Sequence, residues 1–146
     1  MNVAGHGISI DVPSGWEARI ARRSDGARLH LATFLLLGSD GDFGAAATGR
    51  MRRGDAFAAL VEYVDPEGIR PGIGLYAARG PQVPTLHEFA PNALQVTRPG
   101  QLGWQRFFTG SGRTCCLYAV IKPGAERSEK LVRRLASVLS TLQIQS

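Results

Sequence analysis

Residues 7–20 read GISIDVPSGWEARI. Ile8, Ile10 and Val12 alternate with Ser9 and Asp11; beyond Pro13-Ser14-Gly15, Trp16, Ala18 and Ile20 alternate with Glu17 and Arg19. A period of two predicts two strands, each turning one face to an apolar interior. Between them, proline fixes φ and removes a donor while glycine admits a positive φ, so the break is a turn. Ser24-Asp25-Gly26-Ala27 signals another turn before a third strand over 28–36. The three predict an antiparallel meander with Trp16 folded onto the core.

Beyond the loop at 38–44 (GSDGDFG), residues 43–52 suit a short helix weakened by two glycines. Residues 55–64 (DAFAALVEYV) are apolar on both faces, as expected of a central strand covered on both sides, although the run is short enough to be helical. LGWQRFFTG and RTCCLYAVI, joined by Gly110-Ser111-Gly112, predict a hairpin. At the C-terminal end Leu131, Val132, Leu135, Val138, Leu139 and Leu142 form one stripe of a 3.6-residue period. Glu126 and Glu129 suit that helix's N-terminus and make favourable i,i+4 pairs with Lys130 and Arg133. Arg127, Lys130, Arg134 and Ser137 are left for a solvated face. The expected fold class is α+β: a curved antiparallel sheet with helices packed on it, in one domain over 1–146 and ending in an amphipathic helix.

The intervening stretch, 65–93, holds five of the eight prolines together with four glycines. Irregular segments this long are uncommon in compact domains and tend to be functional or disordered. Here Ile69, Ile73, Leu75, Tyr76, Leu86 and Phe89 are too much apolar surface for a free linker. The segment is expected to pack on the domain, either as cover for a sheet edge or as a binding lip.

Composition changes this picture little. With 146 residues, 44% apolar and 20% charged, the chain is of ordinary globular make-up. Its densest apolar run, 31–38, is far below the ~18–20 residues a membrane helix needs. The N-terminal residues lack a basic n-region and an apolar h-region, which makes a cytoplasmic location the expectation. The net charge of +5 is concentrated in residues 70–146, and fifteen of the seventeen basic residues are arginine. Because they are scattered without a basic block or interleaved aromatics, nucleic-acid binding is not expected. Cys115 and Cys116 are adjacent, which is neither a disulfide framework nor a metal spacing; on a strand they point to opposite faces, and two buried reduced thiols are expected ahead of the rarer strained vicinal disulfide.

Motifs for chemistry fall short. HEFAP at 87–91 has proline where a second zinc-binding histidine belongs, GIGLYA at 72–77 lacks the third dinucleotide glycine, and TGSGR at 109–113 lacks the phosphate-loop lysine. Asp40 and Asp42 begin like a calcium loop that is not completed. His6, His30 and His87 share no ligand spacing, and neither metal nor cofactor is expected. Glu62, a carboxylate inside ALVEYV, stands apart. Buried and unpaired, it would have a raised pKa of the kind found at active sites; paired with Arg106 or Arg113, it is a structural ion pair.

The order of elements resembles the PsbP/Mog-like α/β/α sandwich superfamily, particularly its small actinobacterial members. The likeness is carried by ISIDVPSGW with its P-x-G-W, by FAALVEY, by the hairpin, and by a final helix ending in VLSTLQI. It implies a curved antiparallel sheet with helices on both faces and, usually, no catalysis. Relatives serve as an extrinsic photosystem subunit, a binder of a small GTPase, and chaperones for secreted toxins. No functional residue of the family can be placed here by motif, and fold does not decide function.

Two readings of function follow. One is a non-catalytic protein-binding module, an adaptor or chaperone, using Leu75, Tyr76, Arg79, Leu86, His87 and Phe89; an exposed apolar patch would support it. The other is a small-ligand or enzyme domain with Glu62 and Arg106 in a pocket. An acidic partner drawn to the basic C-terminal half is a weaker third, and a homodimer through a sheet edge or the long segment stays open.

Overall fold

The computed structural model describes residues 1–64, 70–124 and 128–146. Pro66, Gly68 and Ile69 of the proline-rich segment, and Glu126 and Arg127 ahead of the final helix, lie outside them.

Among the described residues, eight strands form two antiparallel sheets. β1 (Asn2–Gly5), β2 (Ile8–Asp11) and β8 (Gln143–Ile144) make a small sheet in the order β1-β2-β8. β3 (Glu17–Arg23), β4 (Gly26–Ala32), β5 (Asp55–Tyr63), β6 (Leu102–Gly110) and β7 (Arg113–Lys122) make a five-stranded sheet in the order β3-β4-β5-β7-β6. The helices among the described residues are α1 (Ala45–Thr48) and α2 (Ser128–Leu139), and 3₁₀ turns punctuate the described part of the proline-rich segment at Gly74–Tyr76, Leu86–Glu88 and Pro91–Ala93.

The predicted meander needs correction. β2 and β3 do not pair; the Pro13-Ser14-Gly15 turn, closed by the Trp16 N–H donating to the Pro13 carbonyl at 3.2 Å, carries the chain from the small sheet to the large one. β2 buries Ile8 and Ile10 and β3 half-buries Ala18 and Ile20 against the same core, so their alternation is real. It reports burial and says nothing about which neighbour each strand takes. Trp16 does fold inward, with the Arg134 guanidinium 5.9 Å from its ring. The third strand ends at Ala32 rather than residue 36, because Leu36 turns away to cover the far face of the sheet.

The central strand is as predicted. β5 pairs with β4 on one side and β7 on the other, and its side chains alternate between two apolar clusters. On one face Leu29, Leu31, Leu60, Trp104, Phe108, Leu117 and Ile121 meet β2 and the α2 stripe, including Leu131, Leu135 and Leu139. Burying that stripe contributes about 10 kcal/mol of gross transfer free energy. On the other face Phe57, Ala59, Tyr118 and Val120 are covered by Leu36, Ala47 and Met51 from the α1 region. The β6–β7 hairpin turns through Ser111 (φ 50°) and Gly112 (φ 79°), two left-handed residues of the kind a tight primed turn requires. No helix among the described residues is long and apolar enough to cross a membrane.

Candidate functional site

The described part of the proline-rich segment, residues 70–93, lies along the outer edge of β6. At one end the Gly80 N–H donates to the Thr109 carbonyl at 2.9 Å, and the Thr109 N–H donates to the Ala78 carbonyl at 2.8 Å. The Thr109 hydroxyl accepts from Gly72 N–H and donates to the Tyr76 carbonyl at 2.7 Å. At the other end Ala90 and Gly103 exchange both backbone bonds at 2.9 Å. An edge strand of this length would otherwise present a row of unpaired groups, which invites pairing with other chains. Edge cover, one of the two expectations, is therefore what the segment does.

Its side chains divide in two. Tyr76 and Phe89 are buried, Tyr76 edge-on to Phe107 with ring centroids 5.6 Å apart and Phe89 within the helix-side core. Leu75 and Ile73 are 63% and 58% exposed on the Gly74–Tyr76 turn, and Val83 is exposed as well. Arg79 is exposed beside its backbone bridge to Thr109. Burial of Tyr76 anchors the turn and leaves its neighbours outward, an arrangement with no packing benefit to the free chain.

Leu86 and His87 reach a different surface. With Pro84, Val132 and Ala136 they line a groove of about 510 Å³ between the Leu86–Glu88 turn and α2, rimmed by the Glu129–Arg133 pair at 2.9 Å. The turn is set by Thr85, whose N–H and hydroxyl both donate to Glu88 Oε1 at 2.9 Å, while Glu88 Oε2 accepts from Arg106. Burial alone would raise the Glu88 pKa; the Thr85 donors and Arg106 outweigh it and hold the carboxyl below its ordinary value. The Arg106 guanidinium also lies 5.1 Å from the centre of the Trp104 ring.

Glu62 and Arg106, proposed together as a ligand site, are not brought together. Glu62 is 5% exposed, and its carboxylate accepts from Arg113 Nε at 2.7 Å and Nη2 at 2.8 Å, and from Ala27 N–H at 3.0 Å. The bidentate Arg113 bond is the main reason its pKa falls below the ordinary value instead of rising. Of the two partners foreseen, Arg113 is the one taken, and the structural ion pair is what the geometry holds. Cys115 beside it and Cys116 on the opposite face are both buried free thiols, pushed up by burial to about 12 and about 11 respectively. Asp40 and Asp42 each face an arginine, Asp40 with Arg50 at 2.6 Å and Asp42 with Arg28 at 3.1 Å. Among the described residues no three His, Cys, Asp or Glu side chains are grouped to hold a metal.

Sequence reasoning missed Thr109, which was read only as the end of a strand and within the incomplete phosphate-loop motif, and Val132 and Ala136, which were read only as helix. It also missed a cluster of Arg19, Arg23 and Arg28 that forms once β3 pairs with β4. No family model matches the chain, and no curated protein matches it.

Proposed function

We propose that this chain is a non-catalytic protein-binding module, of adaptor or chaperone-like character, built on a PsbP/Mog-like α/β/α sandwich. The observation that carries the reading is the outward placement of Ile73 and Leu75 on a turn anchored by Tyr76 and pinned to Thr109. Burying two such side chains against a partner is worth about 3–6 kcal/mol of gross transfer free energy. The apolar groove lined by Leu86 and Val132 offers a second recess, rimmed by His87, Glu129 and Arg133. Both surfaces offer aliphatic side chains, the groove's inside a polar rim that would exclude water once a partner is seated. An antiparallel sheet covered on both faces supports the sandwich assignment.

The test compares quantitative affinity capture from native extract by the parent chain and by Ile73→Ser/Leu75→Ser, with thermal melting of both. A stoichiometric protein held by the parent and lost from an equally stable variant supports the reading. A partner held equally by both, or none held by the parent, contradicts it.

A further inference from the structure

The β3–β4 register sets Arg19 opposite His30, Ala21 opposite Arg28 and Arg23 opposite Gly26. Residues directly opposed in an antiparallel pair share a face, so three arginines and a histidine gather around the small side chain of Ala21. Ala18 and Ile20, on the other face, pack against the helix-side core. The 37–41 loop stands over the arginines, and the space beneath it is a cleft of about 270 Å³ lined by Arg19, Ala21, Arg23, Arg28, Leu37 and Gly38 among others. No acidic side chain of the described residues lines it. The volume falls just under the ~300–1,000 Å³ of pockets that enclose a whole drug-sized ligand, and it suits one charged group with the atoms that carry it.

The carboxylates nearby are engaged or shared. Asp40 accepts from Arg50 at 2.6 Å and from the Leu37 N–H at 2.7 Å. Asp25 accepts from Arg28 Nη2 at 2.8 Å, while Asp42 stands 3.1 Å from Arg28 Nε and 3.9 Å from Arg23 Nε. The Arg28 side chain is only 5% exposed, and its Nε–H is buried without a hydrogen bond, because Asp42 is out of line with it. Buried donors in that condition are uncommon, and an acceptor that reached this one would be favoured. Arg19 makes one long bond, 3.4 Å to the Leu36 carbonyl, and no ion pair among the described residues. Gly38 leaves it uncovered, since a Cβ there would already touch Arg19 Nη2 at 3.5 Å. His30 places Nε2 3.0 Å from the Asp42 carbonyl, and burial lowers its pKa, so the cations here are the arginines.

We propose that this cleft binds a phosphoryl group, seated over Ala21 between Arg19 and Arg23 with Arg28 at its base. Three guanidiniums face two shared carboxylates, so the cleft carries an excess of positive charge. A tetrahedral dianion offers several oxygen edges and can be gripped by more than one guanidinium, whereas a single fork exhausts a carboxylate. Leu37, exposed on the rim, gives an apolar contact to the atoms beyond the phosphoryl. The group recognised is a phosphate monoester, free in solution or as the headgroup of a phosphatidic-acid lipid. The site lies at the opposite end of the sheet from the proline-rich segment and is independent of the protein-binding reading.

The experiment follows the arginine Nε–H signals of the isotope-labelled full chain by NMR while glycerol phosphate, or acetate as a carboxylate control, is added at constant ionic strength. The expected result is a saturable shift of the Arg19, Arg23 and Arg28 signals by glycerol phosphate, with acetate at least about tenfold weaker. Arg19→Gln/Arg23→Gln weakens glycerol phosphate at least about tenfold, and so does Gly38→Asp, which keeps every arginine and sets a carboxylate against Arg19. Thermal melting of both variants separates loss of the site from loss of the fold. A shift that does not saturate, equal binding of acetate, or unchanged affinity in either folded variant overturns the proposal. Flotation with phosphatidylcholine vesicles, with and without phosphatidic acid, identifies the source. Capture by the phosphatidic-acid vesicles alone, lost in the same variants, supports the lipid headgroup, and binding of glycerol phosphate without capture supports a soluble ligand.

Discussion

Arg113 grips Glu62 with two parallel bonds, Nε to Oε2 at 2.7 Å and Nη2 to Oε1 at 2.8 Å, and with Nη1 reaches on to the Gln145 carbonyl at 2.9 Å. The pair joins β5 to β7 beneath the small sheet and ties the C-terminal strand down in the same step. Glu62→Gln leaves the half-buried Arg113 guanidinium without its counter-charge, a loss of about 1–3 kcal/mol, at or below the low end for fully buried pairs. Urea unfolding at pH 7 checks the figure. A loss below about 0.5 kcal/mol would show that the pair contributes little.

The same pair fixes a pH dependence. The Glu62 pKa is lower folded than unfolded, chiefly through Arg113, so its contribution is complete above the unfolded value and is lost as pH falls through the folded one. Parent stability should therefore drop below about pH 4 more steeply than that of Glu62→Gln. Parallel curves from pH 7 to pH 3 would assign the acid loss to other carboxylates.

Both thiols are raised by burial, Cys115 to about 12 and Cys116 to about 11, so neither is a thiolate at pH 8. A disulfide reagent in excess should leave the native chain unlabelled at pH 8 and release two equivalents once guanidinium unfolds it. Rapid native labelling of either cysteine would mean that its strand opens readily or that the site is less enclosed.

Core and surface should respond in opposite ways. Leu135→Ala removes a fully buried member of the α2 stripe and should cost about 3 kcal/mol. Leu75→Ser touches a side chain that is 63% exposed and should change stability by no more than about 0.5 kcal/mol. Chemical denaturation of both variants makes the comparison, and a large loss from Leu75→Ser would show the turn to be a packing element instead of a binding one.

Gly103 allows the chain after Ala90 to lie against β6. A Cβ there would stand 2.9 Å from the Ala93 carbonyl carbon and oxygen and from the Leu94 nitrogen. Gly103→Ala should cost about 1–3 kcal/mol through overpacking and speed exchange of the Ala90 amide. An unchanged Ala90 exchange rate would mean that this segment is not seated as described.

Elements with a marked apolar pattern were legible in the sequence: β5, as a run apolar on both faces, the β6–β7 hairpin and α2 all stand where the pattern put them. Glu129 and Arg133 also pair as their spacing predicted. β1 and β8 were not legible, since Asn2–Gly5 alternates weakly and Gln143–Ile144 is too short to show a period. The passage of the chain between sheets at Pro13 is equally invisible, because alternation records that a face is buried without recording by what. Arg113 could be named as a partner for Glu62 but not chosen over Arg106 until the register placed Cys115 opposite Glu62 and its neighbour two residues away on the same face. The arginines of β3 read as compositional bias, for Arg28 comes onto the face of Arg19 and Arg23 only through the β3–β4 pairing.

What unites these observations is a sheet whose β6 edge is bonded by the described part of the proline-rich segment, while β3, with β1 packed against it, takes no outward backbone bond among the described residues. Native-state hydrogen exchange resolved by residue tests that asymmetry directly. The Gly103 and Thr109 amides, which donate outward to Ala90 and Ala78, should exchange only through large-scale opening, while alternate amides along Glu17–Arg23 should exchange within about tenfold of an unstructured chain. Gly103 and Thr109 exchanging as fast as those β3 amides would contradict the account.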